Sequence, residues 1–348
     1  MDATFANRLA NARKIKGMSL RELSAHTQGQ ISHAAIGKYE KAQMMPSNNT
    51  LKVLAKALNV KLDYFFRPFA VAMDAETFEF RECANLGAKE VESIKYQVCA
   101  EIEKYLEIEK TLEEAPTFVL DYSDVLVKGQ KEAKLLAKRF KSDLSIGTEA
   151  IVSTIELLET CGLKIIEIEY DDKFTVTSNT AGEIPVIVIN KQMTAERKRI
   201  TLLQELGHLL MRCAEGVDQE EMCAIFANEI LISSEKLIHL IGATRHNISL
   251  VELQAIQRQY GVTVDALMAK AAELSIITQR SYTSYLKKKK EHPAFQKMVD
   301  VSLYPIEQSN RFKRLVYRAL ASEVISLSKA ASLLETSIEE VRDAMILL

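Results

Sequence analysis

The chain has 348 residues, enough for two or three domains, and a hydrophobic share of 47% that is ordinary for a globular protein. No apolar run approaches the ~20 residues of a membrane span, and Phe5 to Lys16 interleaves apolar residues with Arg and Lys, unlike a signal-peptide core. The formal net charge of −2 conceals a division: residues 1–68 carry eleven basic and four acidic side chains, about +7, and residues 69–116 five basic and twelve acidic, about −7.

The five cysteines (Cys83, Cys99, Cys161, Cys213, Cys223) are scattered and never spaced C-x-x-C, a pattern of reduced thiols in a cytoplasm and not of a disulfide frame or a cysteine zinc site. A basic head of this kind is expected to bind a polyanion. Its apolar residues recur at helical spacing in short segments. Phe5, Leu9, Ala12 and Ile15 line a first helix that Gly17 ends. Ser19 with Glu22 forms the capping box of a second, carrying Leu20, Leu23 and Ala25, and Gln28-Gly29 makes a turn. Ser32 caps a third helix through Tyr39-Glu40, with Ile36 and Tyr39 inward. A fourth follows Pro46-Ser47 with Leu51, Leu54, Ala55 and Leu58 as its stripe, and a fifth spans Leu62 to Phe66.

This head resembles the Cro/CI (Xre) helix-turn-helix family. The carriers are Met18-Ser-Leu-Arg-Glu-Leu, Ile36-Gly-Lys-Tyr-Glu-Lys, Thr50-Leu-Lys-Val-Leu-Ala-Lys-Ala-Leu-Asn-Val and Asp63-Tyr-Phe-Phe. The resemblance implies a recognition helix at about Ser32–Lys41, with His33, Ala34, Gly37 and Lys38 facing the major groove and Arg21 taking a phosphate. His33 and Ala34 stand where the family often has Gln and a small polar residue, so no base preference is readable. The competing reading is a five-helix bundle without a DNA role.

Beyond the head, Phe78-Glu-Phe-Arg precedes a long helix from Lys89 to Leu112, with Val91, Ile94, Val98, Ile102, Tyr105 and Ile108 at three- and four-residue steps and Pro116 as its stop. That stripe serves either core packing or a dimer seam. Lys131–Phe140 and Thr148–Cys161 read as helices. Leu163–Tyr170, Phe174–Thr177 and Ile184–Asn190 read as strands of a small sheet, and a helix begins at Thr194.

That helix carries Gln204-Glu-Leu-Gly-His208. In the zinc-peptidase pattern His-Glu-x-x-His, two imidazoles four residues apart share one helix face beside a glutamate base. Here Glu205 and His208 are in place and Gln204 occupies the first imidazole's position, where an amide oxygen is a poorer ligand. Residues 184–233 resemble the ImmA/IrrE family of helix-turn-helix-linked metallopeptidases, through Val186-Ile-Val-Ile-Asn, Arg197-x-Arg-Ile-Thr-Leu-Leu-Gln-Glu-Leu-Gly-His-Leu-Leu and Glu220-Glu-Met-Cys-Ala-Ile-Phe-Ala-Asn-Glu-Ile-Leu-Ile. The stalk and the segment from Ile248 to Val262 also look like the long Xre-fused members. The resemblance implies His208 as a zinc ligand, Glu205 as general base and Glu220 as third ligand, with Gln204 a degenerate ligand. Glu220, not the adjacent Glu221, fits the spacing to Phe226, and Ala224 departs from a frequent Asn. Three readings stay open: a leftover polar pair, a weak metal site, and an active peptidase. His239 and His246 are candidates for a substitute ligand, against the plainer reading of a lone histidine outside a motif as a surface residue.

From Ser249 the chain reads as helices. They include a basic run, Lys287–Lys290, that reads as a solvated helix end or else a DNA-backbone or partner contact, and two short capped helices between Leu315 and Leu347, suited to packing or oligomer contacts.

The expected architecture is α+β and mainly helical. It comprises a five-helix DNA-binding domain (1–68), a helical stalk (69–116), a small-sheet zincin-like domain (117–240) and a helical C-terminal region (241–348). The expected function is a cytoplasmic, sequence-specific transcriptional regulator that binds a double-stranded DNA operator as a homodimer and has no membrane role. Its peptidase-like domain, with zinc weak or absent, would be an inactive sensor or partner surface. The alternatives are a zinc endopeptidase that cleaves a repressor, and an antitoxin- or phage-defence-linked protein that binds a toxin or other protein partner.

Overall fold

The structure, a computed structural model, describes residues 3–69, 86–170, 174–181 and 184–345; the expected Phe78-Glu-Phe-Arg element lies outside them. Helices α1 (Ala3–Ile15), α2 (Leu20–His26), α3 (His33–Glu40) and α4 (Asn48–Leu58) are followed by a 3-10 turn, Leu62–Phe66, and the long α5 (Ala88–Leu112). Next come β1 (Leu126–Val127), α6 (Gln130–Asp143), α7 (Thr154–Thr160), β2 (Lys164–Ile168), β3 (Val176–Ala181) and β4 (Ile184–Asn190). They lead to α8 (Ala195–Leu210), β5 (Arg212–Cys213) and α9 (Gln219–Leu231). The remainder is helical: α10 (Ser234–Ile241), α11 (Leu250–Tyr260), α12 (Val264–Glu273), α13 (Gln279–Glu291), α14 (Pro293–Val299), α15 (Arg311–Ala321), α16 (Leu327–Leu333) and α17 (Ile338–Ala344). The fold is α+β and mainly helical, and no described helix is long and apolar enough to cross a membrane.

Local signals place most boundaries. Ser19, Ser32 and Ser47 cap α2, α3 and α4, and Ser19–Glu22 forms the expected capping box. The strand expected over Phe174–Thr177 lies instead at Val176–Ala181, and two further elements differ from expectation. The fifth head helix is a 3-10 turn whose Phe65 is fully buried against Phe5, ring centroids 5.6 Å apart. α5 ends at Leu112 as expected, four residues short of Pro116, where Glu113 adopts a left-handed φ of 55° and its N–H returns to the end of the helix. The helix expected from Thr148 starts only at Thr154, where the Ser153 hydroxyl accepts from Glu156 N–H.

The contacts group the chain into two compact units. One comprises 1–115, 179–182 and 311–348, and the other comprises 116–178 and 183–310. In the first, Phe5, Leu9, Leu23, Ile36, Leu54 and Leu58 form the head's core. The α5 stripe is spent inside this same unit: Ile94, Val98, Ile102 and Ile108 are fully buried, and α5 packs on α1 and α15. Arg8 donates to both Glu103 oxygens at 2.6 and 2.7 Å, joining α1 to α5. The tail also belongs here, with Arg311 paired to Glu109 and Lys329 to Glu107.

The strands form a three-stranded sheet of order β2-β4-β3, and in the second unit β2 and β4 are parallel in the register Lys164↔Val186 to Ile168↔Asn190. As the central strand β4 is covered on both faces, which explains its unbroken apolar run. Asn190 ends it, its amide donating to Tyr170 and Phe174 carbonyls at 3.0 and 2.9 Å. α8 leaves the sheet and packs along α9, and α9 in turn packs on α6.

Candidate functional site

Two sets of residues carry chemistry, one in each unit. In the first unit, α2 and α3 are joined by a tight turn in which Gln28 and Gly29 take left-handed φ values of 56° and 73°. Ser24 Oγ donates to Ile31 O at 2.7 Å across it. α3 is anchored by the buried Ile36 and Tyr39, which leaves Ser32, His33, Ala34 and Lys38 exposed. Ser32 also caps α3, its hydroxyl accepting from Ala35 N–H. Gly37 sits on the flank of α3 that meets α2: a Cβ there would lie 3.5 Å from Leu20 Cδ1. Arg21, in the first turn of α2, is exposed.

The far end of α3 is held by a contact that no short-range pattern announces. The Arg13 guanidinium, from the last turn of α1, grips both Glu40 oxygens at 2.7 Å and donates to Met18 O at 2.6 Å. Both side chains are 12% exposed, and the Glu40 hydrogen bonds raise the Arg13 pKa above its usual value. Lys89, at the start of α5, donates to Glu22, and with the Ser19 N–H it holds that carboxyl down at about 2.

In the second unit, α8 brings Gln204, Glu205 and His208, and α9 brings Glu220. The two helices approach closely at Gly207, where a Cβ would lie only 3.0 Å from Cys223 Sγ and 3.2 Å from its Cβ. Asp218 caps α9, accepting from the N–H groups of Glu220 and Glu221 at 2.9 and 3.3 Å, which fixes Glu220 at the helix start. His208 Nε2 lies 3.1 Å from Glu220 Oε2. Glu221 turns elsewhere and accepts from Gln130 at 3.1 Å.

α8 itself is anchored by buried charge. Arg199, fully buried, pairs with Glu307 at 3.3 Å and donates to Ile151 O at 2.8 Å. Glu196 accepts from Gln257, Ser302 and the Leu303 N–H between 2.6 and 2.8 Å. These long-range partners orient the helix that carries the motif.

The structure adds a partner that the motif does not contain. Cys223 Sγ lies 3.5 Å from His208 Nδ1, so both ring nitrogens are engaged. An ionised carboxylate only accepts, so Nε2–H donates to Glu220, and in the neutral imidazole Nδ1 then accepts from the thiol. His208 is 5% exposed at its side chain and Glu220 66% exposed. A catalytic zinc takes three strong protein ligands and keeps a fourth position open. The donors in contact here are the His208 imidazole, the Glu220 carboxylate and the Cys223 thiol, with Gln204 at the motif's first ligand position, and no group of three His, Cys, Asp or Glu among the described residues is arranged to hold a metal ion. His239, on α10, and His246, before α11, complete no such group. The residues therefore do not fit a three-ligand zinc centre.

Family models match two separate stretches of the chain. Residues 9–65 match the helix-turn-helix model, and residues 159–271 match the IrrE N-terminal-like domain of the M78 peptidases. No curated protein matches the chain.

Proposed function

We propose that this chain, an Xre-type helix-turn-helix segment joined to an ImmA/IrrE-like segment, is a sequence-specific transcriptional regulator whose peptidase-like unit works without catalysis, as a sensor or partner surface. The observation that carries the DNA reading is α3 itself: His33, Ala34 and Lys38 are exposed while the helix is fixed from behind by Ile36, Tyr39 and the Arg13–Glu40 clamp. A rigid helix with an outward basic residue, on a head of about +7, suits the major groove and its flanking phosphates. Arg21 supplies a phosphate contact, and two copies on a palindromic operator are expected. For the second unit, the support is the donor set: His208 is committed to Glu220 and Cys223, and Gln204 offers a weak ligand.

The experiment is a binding selection on random duplexes followed by salt titration. The reading predicts an enriched sequence bound far above the nonspecific, salt-sensitive level. Lys38→Glu should cut that specific affinity at least tenfold with the fold intact, and lower the salt slope by about 1. A parent chain that binds every duplex alike overturns it. The endopeptidase reading draws on Glu205, His208 and Glu220 sharing one helix pair; stoichiometric zinc in protein purified without added metal, with cleavage of a protein substrate, would favour it instead.

A further inference from the structure

The second unit holds a cavity of about 310 Å³ apart from the His208 helices, formed by α11 to α14 and the segment leading into α11. Its floor is apolar, from the buried Leu253, Val264, Met268 and Ile277. Its volume falls at the lower end of small-molecule sites, which pair an apolar lining with a few placed polar groups.

The one fixed charge at its lining is positive. Lys288 is the only lining residue with a fixed charge, and the other polar side chains are His246, Asn247, Ser281, Ser284 and Tyr285. Among the described residues no carboxylate lines the cavity. The Tyr285 hydroxyl is already spent on Asp265 at 2.6 Å. Of the neighbouring lysines, Lys289 is neutralised by Asp265 and Asp300, at 2.5 and 2.6 Å, and Lys287 lies 3.9 Å from Glu291. Lys288 instead places its ammonium 4.5 Å from the centre of the Phe295 ring and has no carboxylate partner among the described residues. The Ser281 hydroxyl is paired with Thr278 at 2.9 Å, which leaves Ser284 as the hydroxyl beside Lys288. An ammonium lining an apolar pocket is a receptor for an anion attached to an apolar body.

We propose that this cavity binds a small amphipathic carboxylate, its apolar body on Leu253, Val264, Met268 and Ile277 and its carboxylate on Lys288 at the rim. The site stands independently of the DNA reading. The probe is 4-phenylbutyrate, titrated calorimetrically into the full-length protein, with 4-phenylbutanol as the neutral body of matched shape. Saturable binding of the acid, at least fivefold tighter than the alcohol, is expected. Lys288→Gln should abolish that preference while leaving alcohol binding as it is, and Ser284→Trp, a change at an exposed rim position, should weaken both. Three results overturn the proposal: no saturable binding of the acid by the parent, equal affinity for acid and alcohol, or an unchanged preference in Lys288→Gln.

Discussion

The Arg13–Glu40 clamp sets how firmly α3 is presented, and its contribution can be worked from the geometry. An exposed ion pair contributes about 0–1 kcal/mol, whereas breaking a fully buried one costs about 3–5 kcal/mol. This pair is bidentate, with both bonds at 2.7 Å and both side chains 12% exposed, so it lies between those limits. A coupling of about 2 kcal/mol is expected from a cycle of Arg13→Met, Glu40→Gln and the double variant. Because 1.4 kcal/mol is a factor of ten, the Glu40→Gln change should speed amide exchange at the end of α3, around Tyr39 and Lys41, roughly thirtyfold. Exchange in the α6 amides of the other unit should stay as in the parent. Specific DNA affinity should fall in parallel, since a loosened α3 must be ordered again on binding. A coupling below about 0.5 kcal/mol would show that α3 is held by Ile36 and Tyr39 alone, and the clamp argument would fail.

Other consequences can be checked as directly. Gln204→His sets a second imidazole on the His208 face of α8, and elemental analysis should then find close to one zinc per chain; uptake no greater than the parent's would mean that the Cys223 and Glu220 contacts hold His208 away from metal. Gly207→Ala gains up to about 1 kcal/mol of helix propensity but must force Cys223 Sγ away from 3.0 Å, an overpacking cost of about 1–3 kcal/mol. A net loss of about 1 kcal/mol in urea unfolding is expected, recovered only in part by adding Cys223→Ala because Met211 Cε at 3.1 Å and the Cβ of residue 223 at 3.2 Å remain; a stabilised single variant would refute the close-approach argument. Glu22 is held at about 2, chiefly by Lys89 and then by the Ser19 N–H, below its ordinary 4.5. A depressed carboxylate stabilises above its unfolded pKa, so this contribution to the α2 cap is full above about pH 4.5 and is lost as pH falls toward 2. NMR titration of the Glu22 carboxyl should show that low midpoint in the parent and a clear rise in Lys89→Ala; equal midpoints would remove Lys89 as the cause.

How much of this was legible in the sequence depends on the range of each interaction. The head could be read because its signals are short-range. Ser19, Ser32 and Ser47 each cap a helix through an N–H three residues on, and apolar spacing names Ile36 and Tyr39 as inward. The β4 run and the Gln204-to-His208 motif are local for the same reason. The stripe of α5 was equally visible, but its spacing is the same whether it meets its own chain or a second copy; only the fold shows it buried against α1 and α15. Arg13 with Glu40 spans 27 residues, His208 with Cys223 spans 15, and Arg199 with Glu307 spans 108. No periodicity encodes such pairs, because a side chain far along the chain becomes a neighbour only after loops have closed and helices have packed. The sequence by itself determined the first four helices of the head, the serines that cap α2 to α4, and which letter of the zinc motif is missing. Tertiary packing decided which charges are buried together, that Gly207 must lack a side chain beside Cys223, and that residues 311–345 return to the unit holding the head. Those outcomes rest on desolvation and close contact, and both exist only once distant segments share one interior.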